Sequence, residues 1–93
     1  MRAVWKFPLG AYDADVVMAA GAKIVHVARQ FPESRDEVVT VWAEVDTDAR
    51  LTETRHFSVV GTGHPIAEGY WHAGSWLHGD FVWHLYEAKA ADR

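Results

Sequence analysis

The sequence predicts an all-β domain of about seven short, mostly antiparallel strands, folded as a compact sandwich or small barrel. Three observations predict it. Apolar residues alternate with period two in most segments, the mark of half-buried strands. Turn-forming residues recur about every 8–12 positions, as in small sandwiches and barrels. The stretch Arg55–Ile66 runs an alternating strand straight into Gly61, Gly63 and His64-Pro65, so the chain turns back toward what precedes it.

Taken in order, residues 1–9 place Ala3, Trp5, Phe7 and Leu9 on one side, with Arg2, Val4 and Lys6 on the other. Pro8 cannot donate to a ladder, which suggests an edge strand. Asp15–Met18 is a short second strand. Ala and Met make a helix over Ala14–Ala22 the competing reading, but Val16-Val17 and the short length favour strand. Ala22–Phe31 reads as a longer strand with Val25, Val27 and Phe31 on one face, apolar enough on both sides to be central. Pro32–Glu37 is the most polar segment, expected as an exposed hairpin loop. Val38–Asp46 alternates most clearly, with Val39, Val41, Ala43 and Val45 inward. Phe57 and Val59 set the inner face of the next strand, and Ile66 is expected to plug the end of the core. Tyr70–Leu77 and Phe81–Glu87 form a last hairpin, turning at His78-Gly79 with Asp80 as an option for three residues. Residues 1–87 thus form one β domain, and 88–93 a polar C-terminal tail.

Size and composition limit what such a domain can be. Ninety-three residues hide a modest share of their surface on folding, so the core has small margins. Five Trp, three Tyr and four Phe compensate, because large rings bury much area per residue. With no cysteine there is no disulfide framework, thiol nucleophile or Cys-based zinc site, which suits a reducing compartment. No apolar run approaches the roughly 20 residues that span a bilayer, and residues 1–8 lack the apolar core of a signal peptide. Net charge is −4 with scattered basic residues, which disfavours nucleic acid as a partner.

Chemistry-bearing constellations are sparse. His72, His78 and His84 lie on or beside the last hairpin. Strand parity puts His72 and His84 on one face if the turn holds three residues and separates them if it holds two. Structural zinc wants four ligands in a tetrahedron, and the sequence does not supply them evidently, so no metal or cofactor is expected. His64 sits beside two glycines, but Ser58 and Ser75 lack a nucleophile-elbow context and the reading is non-enzymatic. Gly61-Thr62-Gly63 is followed by His-Pro-Ile rather than a Lys-Ser/Thr and a helix, so it is no phosphate loop. Glu44, Asp46 and Asp48 lack a calcium-loop pattern. Tyr70, Trp71, Trp76, Phe81, Trp83 and Tyr86 crowd two adjacent strands and cannot all point inward. Trp71 and Trp76 have opposite parity, which puts one ring on each face unless a bulge intervenes.

Trp5-Lys6-Phe7, Ala20–Val25, Val41–Asp46, Phe57–Ile66 and Phe81–Glu87 occur in that order. Together these blocks resemble a family of short uncharacterised proteins found largely in bacteriophage genomes. The resemblance covers residues 1–87, with a longer Pro32–Glu37 loop and Ala19 in place of an expected Pro. It implies an origin in phage and supplies no catalytic residues. The expectation is a non-enzymatic binding protein in the host cytoplasm that engages a host protein, with interference in a host process as one outcome. Trp42, Trp71 and Trp76 are the expected anchors and His64 the loop contact, since Trp is enriched at binding hot spots; a free strand edge is the other docking route. The alternative is a small-ligand or metal-binding domain using the loop and hairpin histidines. Homo-oligomerisation is compatible with either.

Overall fold

The structure, a computed structural model, describes residues 1–89. Seven strands follow one another: β1 (Arg2–Leu9), β2 (Asp13–Ala19), β3 (Lys23–Ala28), β4 (Val39–Asp46), β5 (Thr52–Gly61), β6 (Tyr70–His78) and β7 (Phe81–Ala88). All pairings are antiparallel, in a three-stranded sheet β1-β4-β3 and a four-stranded sheet β2-β5-β7-β6. The described residues contain no helix long and apolar enough to cross a membrane. The all-β class is therefore as expected, and Ala14–Ala22 contributes a strand and a turn.

Burial explains the register. Along β4, Val39, Val41 and Ala43 are fully buried and Val45 nearly so. Their alternation fixes one face of the central strand against the second sheet, because a one-residue slip would turn all four outward. Leu9 and Val27 flank them, while Met18, Phe57, Trp76 and Leu85 complete the core from the other sheet. Each of these larger side chains contributes roughly 1.5–3 kcal/mol by leaving water. β1 lies at an edge, as Pro8 requires.

Several local expectations are corrected. β3 is an edge strand, not a central one, and ends at Ala28. The register shifts between Ile24 and His26, a β-bulge that leaves Val25 without a cross-strand partner. Ile24 and Val27 consequently share the inner side, whereas Val25 is 48% exposed, and Phe31 stands outside the strand at 56%. Ile66 does not plug the core, since it too is half exposed. The final hairpin turns at Gly79-Asp80, because His78 already pairs with Phe81. Of the expected tail, Ala88 is the last residue of β7 and the Lys89 amide donates to the Gly69 carbonyl at 2.6 Å; the rest lies outside the described residues.

Glu37, expected in an exposed loop, is 6% exposed. Its carboxylate accepts from the Gln30 amide at 3.0 Å, the Phe31 amide at 2.8 Å and the Thr40 hydroxyl, tying the β3–β4 loop to the sheet. Burial by itself pushes this carboxyl up, but the hydrogen bonds from Thr40, Phe31 and Gln30, with the charge of Arg29, hold it below its ordinary value. A depressed folded-state value means that the unfolded chain takes the proton first as pH falls. The stabilisation is complete above the ordinary carboxyl range, about pH 4.3, and disappears as pH falls through the folded-state value. Glu37→Gln should therefore lose about 1–3 kcal/mol at neutral pH. Its deficit against the parent should shrink toward about pH 3; urea titrations across that range would show a constant deficit if Glu37 were not the titrating group.

Candidate functional site

The expected anchors scatter. Trp76 is only 7% exposed and belongs to the core, so it is withdrawn as a contact residue. The reason is a second bulge, between His72 and Gly74, which places Trp71 opposite Glu87 and Trp76 opposite Trp83. Glu87 and Trp83 share one face of β7, so both Trp residues fall on the inner side despite their sequence parity. Trp71 then overhangs the end of the core, 62% exposed, with the Lys89 ammonium 5.8 Å from its ring centre. Trp42 lies half-buried on the outer face of the other sheet, paired with Lys6 and His26, and its ring centre is 5.2 Å from that of His26. Four residues of β7, roughly 13 Å of strand, separate the Trp71 row from the Trp83 row beside His64. These three do not form one patch.

His64 does help build a concavity. The His64 amide closes a turn on the Gly61 carbonyl at 3.0 Å, and Gly63 occupies its third position with φ +90°. Only glycine takes that angle without strain, which makes this a type II turn. The turn lays the His64 ring over Gly61, where an added Cβ would lie 3.0 Å from Nδ1 and 3.2 Å from Trp83. Between this loop and the tip of the β6–β7 hairpin lies a groove of about 490 Å³ lined by Thr62, His64, Asp80, Phe81, Val82 and Trp83. Phe81 is 67% exposed, and Leu77, the cross-strand partner of Val82, is 69% exposed. The sequence counted these rings and aliphatics but could not place them; two-residue periodicity assigns a face and says nothing of how far a strand extends past its core.

The same bulge brings His72 and His84 together even though the turn holds two residues, so the parity argument fails for a physical reason. Their ring centres are 6.3 Å apart, with Ser75 between them. The Thr62 hydroxyl donates to the Val82 carbonyl at 2.9 Å and therefore accepts from His84 Nε2 at 2.9 Å. Neutral His84 then accepts through Nδ1 from the Ser75 hydroxyl at 2.7 Å, which in turn accepts from His72 Nε2 at 2.8 Å. These bonds link His72, Ser75, His84 and Thr62 in one row across β6, β7 and the loop after β5. His64 stands apart from it, and no group of three metal-ligating side chains occurs among the described residues.

Residues 1–93 match the family described as a domain of unknown function, DUF7352. The chain belongs to that family. No curated protein and no solved structure shows significant similarity to it. For this DUF7352 member the groove beside His64 is accordingly read from its own chemistry: two exposed apolar side chains, one carboxylate and one imidazole around the hollow.

Proposed function

We propose that this protein is a non-enzymatic, phage-encoded binding protein that engages a host protein through the groove between the Gly61–Ile66 loop and the β6–β7 hairpin. The observation that carries the reading is the exposure of Phe81 and Val82 around a concavity rimmed by His64 and Asp80. Apolar groups left in water at a concave site are the usual core of a protein contact, with polar groups at its rim. Asp80 has no salt bridge with any described residue, and the chain carries a net charge of −4. The partner segment that fits presents one apolar side chain to Phe81 and Val82 beside a Lys or Arg for Asp80. Interference with a host process is the consequence such capture would have.

Phe81→Glu tests this with little risk to the fold, since exposed positions usually change stability by no more than about 0.5 kcal/mol. Capture from host lysate should lose its specific partner at least tenfold with Phe81→Glu, the size of a hot-spot loss, and retain it with Trp42→Ala. Equal recovery by parent and Phe81→Glu would remove the groove from the account.

A further inference from the structure

Two strand edges share one side of the sandwich, β1 in the three-stranded sheet and β2 in the four-stranded one. The opposite edges, β3 and β6, approach each other and close their side. Residues 10–12 alone join β1 to β2, too few to carry the chain back to its starting end, so the two strands run in opposite directions along the open side. The ladder bonds show which backbone groups are spare there. The Met1 carbonyl accepts from the Thr47 amide and the Tyr12 carbonyl from the Val59 amide, each at 2.8 Å. Both bonds follow the registers of their sheets, so odd residues of β1 and even residues of β2 face their ladders. The outward amides and carbonyls therefore belong to Arg2, Val4 and Lys6 on one edge and to Asp13, Asp15 and Val17 on the other. Pro8, with no amide to offer, falls in the outward set.

The two edges carry opposite charge. Arg2 and Lys6 stand on β1, meeting Glu44 at 3.2 Å and Gln30 at 3.0 Å. Asp13 and Asp15 stand on β2, with His56 nitrogens 3.7 and 2.7 Å away. Val4 and Val17 are each more than half exposed, and Trp5 nearly half. We propose that two copies of this chain pair about a two-fold axis along the strands, β1 of each adding to β2 of the other. Both sheets then continue across the axis. The short turn sets Pro8 and Asp13 at one end, and with those two level Lys6 comes opposite Asp15 and Val4 opposite Val17. Trp5 falls beside Val16 and covers the open side of the core. A spare row of amides and carbonyls is a template for such pairing, and the reciprocal contact closes as a dimer rather than a filament. Charge selects this arrangement over β1 on β1 or β2 on β2, which would set like charges on facing edges. The groove beside His64 includes no residue of β1 or β2, so the two readings stand or fall separately.

Sedimentation velocity of the full chain across concentrations, with amide hydrogen exchange, tests this. The expected result is a dimer whose Val4, Lys6, Asp15 and Val17 amides exchange at least about tenfold more slowly than after dilution to monomer. Lys6→Glu and Asp15→Lys should each weaken the dimer by about tenfold or more, because each reversal acts at both symmetric contacts. Combining the two substitutions in one chain, or mixing the two single variants, should restore it, which misfolding of a variant could not produce. A chain that stays monomeric at millimolar concentration overturns the proposal. So does a dimer whose edge amides exchange freely, one that both reversals leave intact, or failure of the folded double variant to recover it.

Discussion

Arg55→Met should lower the unfolding free energy by about 3–5 kcal/mol, the loss expected when one partner of a buried ion pair is removed. Arg55 meets Glu87 through two parallel bonds, Nε to Oε2 at 2.6 Å and Nη2 to Oε1 at 2.8 Å. Its Nη1 donates to the Ala22 carbonyl at 2.5 Å, and Glu53 lies 3.7 Å away. The Arg55 side chain is 10% exposed and that of Glu87 18%. One guanidinium thus ties β5 to β7 and, across the sandwich, to the turn that starts β3. Hydrogen bonding to Glu87 also holds the guanidinium more firmly protonated. Without Arg55, Glu87 keeps a desolvated charge and the Ala22 carbonyl loses its donor. Arg55→Lys should recover little of this, because an ammonium cannot make the parallel pair of bonds. Urea denaturation of Arg55→Met alone and with Glu87→Met checks the account: the double variant should be more stable than the single one. A loss below about 1 kcal/mol for Arg55→Met would mean the pair is effectively solvated.

Gly74→Ala is the second large effect, at roughly 1–3 kcal/mol or more for overpacking. A Cβ at Gly74 would sit 2.6 Å from Val27 Cγ2 and 2.7 Å from Val27 Cβ. Val27 is buried in the facing sheet, on a strand anchored to β4, and its χ1 is stiff. Neither neighbour can step aside cheaply. Because the Cβ of Val27 itself is within 2.7 Å, Val27→Ala should fail to rescue Gly74→Ala; rescue in thermal melts would place the clash elsewhere. This contact is where β3 and β6 close one side of the sandwich, so the substitution should also loosen the Trp76 ring two residues further along β6. Near-ultraviolet circular dichroism would register that.

These two positions differ in how far the sequence announces them. Arg55 stands inside an alternating strand with Phe57 on its own face, so parity alone would place a charge in the core and flag it for a partner. Glu87 carries the same signal, falling by parity on the face of Trp83 and Leu85, but parity does not say that the two charges meet. Gly74 reads as an ordinary small residue beside Ser75 and gives no hint that another sheet approaches it. Trp71 and Trp76 carry opposite parity in the chain, and only the bulge at His72–Gly74 reverses that inference for both of them.

The amino-acid order by itself determined the all-strand class, the edge position of β1 and the inward set Val39, Val41, Ala43 and Val45, because alternation and proline act locally. The tertiary structure decided the two bulges, the burial of Glu37 and Trp76, and the groove beside His64. Those depend on which strands meet and how closely. A single extra residue in a strand shifts every later side chain to the other face, and nothing in local periodicity reports it.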